Sequence, residues 1–164
     1  MIKERVNTIL IPTNLHLESL TLLRLVLKGL DKNQKTKVIL MATDSLSDGL
    51  FESWFNSPSQ NIFKSLDSKF KESISILNNH FEAYLYGKIH IEVFHGATVS
   101  AMRNFLDANR VSKIFVPVTN YTSQKHKSFN AIPLLKKSGY PIREVELNSE
   151  IQGNESTLLQ AILS

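Results

Sequence analysis

The chain has 164 residues, no cysteine and a formal net charge of +4. This length favours a single domain that needs no disulfide or structural metal to fold. The missing cysteines exclude disulfides, thiolate metal sites and a cysteine nucleophile. The charge is modest and its basic residues are scattered, so we expect no nucleic-acid partner. No apolar run approaches the ~20 residues of a membrane span and no signal peptide is visible, so we expect a cytoplasmic protein with no membrane partner.

The first predicted elements are a strand and a helix joined by a polar turn. Residues 6–11 are mostly apolar or β-branched, and Pro12, Thr13 and Asn14 end this run. The leucines that follow have the three- and four-residue spacing of a helix lying on a sheet. They are Leu20, Leu23, Leu27 and Leu30. The turn between such a strand and helix is where open α/β sheets place ligands.

The middle of the chain predicts a central strand, a long helix and an alternating strand. Residues 37–42 are apolar except for Lys37, which is typical of a central parallel strand. A connection over residues 46–60 carries aromatic side chains that cover either the sheet edge or a ligand. Helical periodicity from Asn61 to Leu85 predicts one long helix closed by Gly87, and residues 89–94 alternate like a strand. Gly96, shortly after that strand, is expected to adopt a positive φ.

The last part of the chain continues the alternation of helices and strands. A third helix over residues 99–109 precedes a fourth strand over 113–118. Ser128 is expected to open a fourth helix with Pro133 in its first turn, and a fifth strand follows over 142–147. Because this alternation forces parallel strands with right-handed crossovers, we predict an α/β fold with a doubly wound, Rossmann-like, five-stranded parallel sheet in the order 3-2-1-4-5. Residues 1–147 form this domain, and residues 148–164 form a tail whose short helix covers either a partner or the protein's own sheet edge.

Several segments resemble the universal stress protein family in their order and spacing. Pro12, Thr13 and Asn14 follow the first strand where that family has Pro-Thr-Asp. Residues 38–44 are similar to its second strand, 94–96 to its Val-x-x-Gly turn, 111–116 to its fourth strand and 138–142 to the entry to its last strand. The resemblance spans residues 6–147 and implies the adenine nucleotide alpha hydrolase-like fold.

Two departures from the family concern its nucleotide site. ATP-binding members have Gly-x-x-Gly after strand four and Gly-Ser or Gly-Thr at the start of helix four, because glycine lets backbone N–H groups close on phosphates. Here no glycine lies between Gly96 and Gly139, and Asn14 replaces the family's aspartate. The resemblance implies that any adenosine pocket that is retained is lined by Pro12, Thr13, Asn14 and Ala42.

The polar stretch before the fourth helix offers an alternative phosphate site. Lys125, Lys127 and Ser128 supply mobile charges and a hydroxyl suited to an anion, and a solvated surface loop is the simpler interpretation. Asn14 is likewise interpreted either as nucleotide-facing or as the N-cap of the first helix, the simpler of the two. The cofactor hypotheses are therefore no cofactor, or ATP or AMP held through residues 125–128.

Catalysis has little support in this sequence. The five histidines lack metal-ligand spacing and no nucleophile elbow is present, so we expect no metal, no catalytic residue and no enzyme. His95, at a strand end, is the best single candidate for a functional histidine, although a turn role is the simpler interpretation.

The resemblance favours a stress-response regulatory module that does not bind ATP in the family's usual manner. Such a module acts through dimerisation or contacts to a protein partner. The alternative is an adenine-nucleotide-binding protein whose phosphate site is remodelled around residues 125–128. We expect a homodimer, although Arg143 and Glu144 in the fifth strand either block strand pairing or form charge pairs across it.

Overall fold

The computed structural model describes residues 6–43, 66–119, 121, 130–147, 160 and 162. Its elements are β1 (Asn7–Pro12), α1 (Leu17–Lys28), β2 (Thr36–Thr43), α2 (Ser68–His80), β3 (His90–Phe94), α3 (Val99–Ala108), β4 (Lys113–Pro117), α4 (Ile132–Lys137) and β5 (Ile142–Val145). The five strands are all parallel and lie in the order β3-β2-β1-β4-β5. The predicted fold class and strand order are confirmed.

The sheet separates two apolar layers, which explains why the middle of β2, from Val38 to Ala42, is uniformly apolar. Successive side chains of a strand point to opposite faces. Ile9 and Val38, which are partners in the register of β1 and β2, therefore pack on one face with α1 and α2. Leu10 and Ile39 pack on the other face with α3 and α4. We call these the α1 face and the α3 face of the sheet.

The long second helix, predicted from Asn61 to Leu85, is wrong at both ends of its described part, and residues 61–65 lie outside the described residues. The helix begins at Ser68, after Asp67 in a non-helical conformation, and it ends at His80. A short 3-10 helix (Glu82–Tyr84) follows, and Leu85 then forms an isolated parallel bridge with Thr36. The apolar side chains of this region stay buried in one cluster although the backbone changes conformation, so periodicity alone did not reveal the break. Gly87 has a φ of 73° in the turn before β3, and it does not cap the helix.

The reason for a glycine at position 96 also differs from the prediction. Gly96 does not have a positive φ, whereas Gly87 and Gly139 do. A Cβ atom at Gly96 would lie 2.6 Å from Cβ of Ala101 and 2.7 Å from Cζ of Phe94. Glycine is therefore required because the start of α3 and the end of β3 approach the backbone closely.

The end of the chain agrees with the prediction in part. The helix α4 begins at Ile132 with Ala131 as its N-cap and Pro133 in its first turn, so Ser128 does not open it. Residues 46–60 and most of the tail lie outside the described residues. Gln160 and Ile162 are helical, and Ile162 is buried with the cluster of the α1 face, which favours the tail covering its own chain. In the described part of the chain, no helix is sufficiently long and apolar to span a bilayer.

Candidate functional site

The candidate site is the crevice at the carboxyl end of β1, where the strand order reverses. The strand β1 pairs with β2 on one side and with β4 on the other. Chain segments leaving β1 and β4 meet there, and in open α/β sheets such a switch point is the usual position for a ligand. The described residues that build it are those of the turn from Thr13 to His16 and, after β4, Tyr121.

The turn after β1 is held by its own polar groups. The Thr13 N–H donates to the carbonyl oxygen of Met41 at 2.9 Å. Its Oγ1 accepts the Leu15 N–H at 3.0 Å and lies 2.7 Å from Oγ of Ser19 in α1. Leu15 has a φ of 61°, a left-handed conformation that costs an L-residue about 1–2 kcal/mol. The threonine–serine contact thus anchors a strained turn to the first turn of the helix.

Asn14 does not cap the first helix, contrary to the simpler sequence interpretation. His16 is the N-cap residue, and its side chain makes no capping hydrogen bond. The Oδ1 atom of Asn14 instead accepts the His16 N–H at 3.0 Å, which is an Asx turn one step before the helix. Asn14 is buried, so its amide is part of the turn structure in this conformation.

A buried side chain at the crevice is Tyr121, which the sequence did not single out and which packs with the cluster of the α1 face. Tyr121 follows β4, is only 6% exposed, and donates its hydroxyl to the carbonyl oxygen of Pro12 at 2.7 Å. Burial raises the pKa of this hydroxyl well above its ordinary value, and the nearby carboxylate of Glu18 raises it further. Glu18 lies in the first turn of α1, where the helix dipole favours a negative charge. The tyrosine therefore stays neutral and acts as a donor that joins the two segments.

The structure brings together four of the seven predicted site residues. Pro12, Thr13 and Asn14 form the turn after β1, and Ala42 lies near the end of the neighbouring strand β2. All four are buried, so none presents an open surface to a ligand here. The other three, Lys125, Lys127 and Ser128, lie outside the described residues.

His95, the predicted candidate for a functional histidine, does not lie at this crevice. His95 is exposed at the end of β3, an edge strand that β2 separates from β1. Among the described residues, no cluster of three or more histidine, aspartate or glutamate side chains is placed to hold a metal ion. The crevice is thus built from hydroxyl, amide and backbone groups beside one buried carboxylate.

Comparisons with known proteins bear on the fold. No protein-family model matches the sequence, and no curated protein matches it. The hypothetical protein MJ0577 has a similar structure, with a TM-score of 0.54 and 17% identity over 87% of this chain and 97% of that chain. The hypothetical protein PH0823 has a TM-score of 0.51 and 14% identity over 87% of this chain and 97% of that chain. The universal stress protein UspA from Lactobacillus plantarum has a TM-score of 0.50 and 9% identity over 89% of this chain and 100% of that chain. The predicted resemblance to universal stress proteins is thereby confirmed at the level of the fold.

Proposed function

We propose that this chain, which has the fold of universal stress proteins, is a non-enzymatic regulatory module that does not bind ATP in the manner of the ATP-binding members. It acts through dimerisation and contacts to another protein. A cytoplasmic location remains a prediction from the sequence.

The observation that carries this proposal is the position of Tyr121. Its ring is buried, and its hydroxyl donates to the Pro12 carbonyl oxygen at 2.7 Å. We infer that the ring occupies the switch-point crevice from the side of β4. A nucleotide entering the crevice would have to displace the ring, break this hydrogen bond and open the buried turn at Thr13 and Asn14. Each of these steps costs free energy that the ligand has to offset.

The sequence around the tyrosine points the same way. The interval between Gly96 and Gly139 lacks glycine, whereas a close approach of backbone N–H groups to phosphates favours residues without a Cβ atom. The buried tyrosine and the missing glycines are two separate obstacles to ATP.

The test is isothermal titration of the full chain with ATP and with AMP, combined with mass spectrometry of small molecules released on denaturation. We expect no saturable heat at millimolar nucleotide and no adenine nucleotide in the extract. A micromolar dissociation constant, or a co-purified adenine nucleotide, would contradict the proposal.

A co-purified nucleotide would favour the alternative of a phosphate site remodelled around residues 125–128. That alternative has its own variant, the double change Lys125→Ala with Lys127→Ala. A nucleotide affinity that the double change lowers at least tenfold would support it, since two phosphate contacts are lost. An unchanged affinity would place the nucleotide elsewhere.

A further inference from the structure

A cavity of about 430 Å³ lies on the α1 face of the sheet, away from the switch-point crevice. It opens over β1, β4 and β5 beside the carboxyl end of α1, and none of the turn residues from Thr13 to His16 lines it. Its volume falls within the roughly 300–1,000 Å³ of pockets that bind small molecules. The cavity is therefore large enough to be a site of its own.

The floor of the cavity is apolar and contains one aromatic ring. Ile9, Val26, Phe115 and Val145 line it from β1, α1, β4 and β5. Phe115 is partly exposed, although it packs against the buried cluster of this face. A flat apolar molecule on this floor would remove the ring of Phe115 from water, which is favourable.

Two cations flank the aromatic ring. Nζ of Lys113 lies 5.2 Å from the ring centroid of Phe115, two residues along the same strand. Arg143 is the register partner of Phe115 on the neighbouring strand β5, and its side chain also lines the cavity. No ion pair joins Lys113 or Arg143 to a carboxylate in the described ranges.

The two acidic residues in the lining are already engaged. Glu144 forms an ion pair with Lys136 of α4, with Nζ and Oε1 2.6 Å apart. Asp31 accepts the backbone N–H of Asn33 at 2.9 Å in the turn after α1. Of the charged side chains in the lining, Glu144 is compensated by Lys136, and Lys113 and Arg143 outnumber Asp31, so the lining carries a net positive charge.

We propose that this cavity binds a small aromatic organic anion. Its carboxylate lies between Lys113 and Arg143, and its ring covers Phe115 and Val145. The guanidinium of arginine suits this task because it pairs with a carboxylate through two parallel hydrogen bonds and stacks on flat rings. This inference does not depend on whether ATP binds at the switch-point crevice.

The test is isothermal titration of the full chain with 2-naphthoate as the probe. We expect saturable 1:1 binding, with the neutral 2-naphthamide at least about tenfold weaker because it loses a charge-assisted hydrogen bond. Inorganic phosphate, which cannot use the apolar floor, should bind no better than the amide. Equal affinities for acid and amide, or no saturation at about 5 mM naphthoate, would overturn the proposal.

Three variants localise the binding. Arg143→Gln and Lys113→Gln should each weaken naphthoate binding about tenfold or more. Lys113 lies on β4, one strand in from the sheet edge, so its variant reports on the cavity rather than on strand pairing at the edge. Lys137→Gln is the matched control, because it removes the same charge from an exposed residue of α4 that does not line the cavity and leaves the ion pair of Glu144 intact. A loss as large in the control as in the other two would also overturn the site.

Discussion

The hydroxyl of Tyr121 donates to the carbonyl oxygen of Pro12 at 2.7 Å, across 109 residues of sequence. This bond joins the stretch after β4 to the last residue of β1, at the edge where the strand order reverses. It is buried, so water cannot replace either partner without a change in structure.

Tyr121→Phe should lower the free energy of unfolding by about 1–2 kcal/mol, because it leaves the Pro12 carbonyl oxygen buried without this donor. Urea denaturation followed by circular dichroism measures the change. Tyr86→Phe is the matched control, since Tyr86 is 54% exposed and the same oxygen atom is removed. Equal stability of the two variants would show that the Tyr121 bond contributes nothing.

The raised pKa of Tyr121 predicts a loss of stability at alkaline pH. Above its ordinary pKa of 10.0 the unfolded tyrosine loses its proton, while the folded one keeps it because of burial and the Glu18 carboxylate. The free energy of unfolding should therefore be unaffected by this group below that pH and fall above it, with a slope of up to about 1.4 kcal/mol per pH unit.

Urea titrations of the wild type and of Tyr121→Phe at increasing pH isolate this contribution. The fall in the free energy of unfolding with pH that Tyr121 causes should be absent from the Tyr121→Phe variant and present in the Tyr86→Phe variant. A wild type and a Tyr121→Phe variant with parallel pH profiles would mean that Tyr121 ionises equally in both states.

The strand order followed from sequence because it rests on local and repeated signals. An apolar run such as residues 37–42 indicates a strand covered on both faces, and strict alternation with helices leaves few topologies. The resemblance also identified the turn from Pro12 to Asn14, which the structure places at the switch point.

The position of Tyr121 at the crevice could not be predicted from the sequence in the same way. Tyr121 stands alone in a polar stretch, and its burial depends on Pro12, a partner 109 residues away. The end of α2 was missed for a related reason: Phe81 and Leu85 keep the apolar spacing of a helix although the 3-10 helix and the bridge to Thr36 replace it. At Tyr121 there is no periodicity from which burial could be predicted, and at the end of α2 the periodic burial continues although the helical backbone does not.

Gly96→Ala should destabilise the fold by about 1–3 kcal/mol through overpacking. The added Cβ would lie 2.6 Å from Cβ of Ala101, a short side chain that cannot rotate away, so the start of α3 has to shift. Gly29→Ala is the control, because its nearest contact is an ordinary 3.6 Å from the Val26 carbonyl oxygen. Thermal unfolding of both variants should show a lower midpoint for Gly96→Ala alone.

Arg110→Gly should raise the free energy of unfolding by about 0.5–1 kcal/mol. Arg110 follows the carboxyl end of α3 with a φ of 54°, where the next N–H, that of Val111, donates to the Leu106 carbonyl oxygen at 3.0 Å. Glycine adopts this left-handed conformation without the steric penalty of a Cβ atom. Arg110→Ala removes the same side chain but keeps the strain, so urea denaturation should show no gain for it.

Within the described residues β5 is the last strand of the sheet, and we predict that two copies of the chain pair at this edge through a backbone N–H. The Ile114 N–H donates to the Pro141 carbonyl oxygen and the Val118 N–H to that of Val145, so alternate residues of β5 face β4. The backbone N–H and carbonyl of Glu144, one residue before Val145, therefore point away from β4 to the sheet edge. We expect two copies to pair there through antiparallel backbone hydrogen bonds.

Glu144→Pro should convert the dimer to a monomer, because proline removes the outward N–H and is tolerated in an edge strand. Glu144→Ala is the matched control: it breaks the surface ion pair with Lys136, which is worth only about 0–1 kcal/mol, but it keeps the N–H. Light scattering at increasing concentration should give dimer mass for the wild type and the alanine variant, and monomer mass for the proline variant. A proline variant that remains dimeric would move the interface away from β5, and a wild type that stays monomeric would show that the charges of this strand prevent pairing.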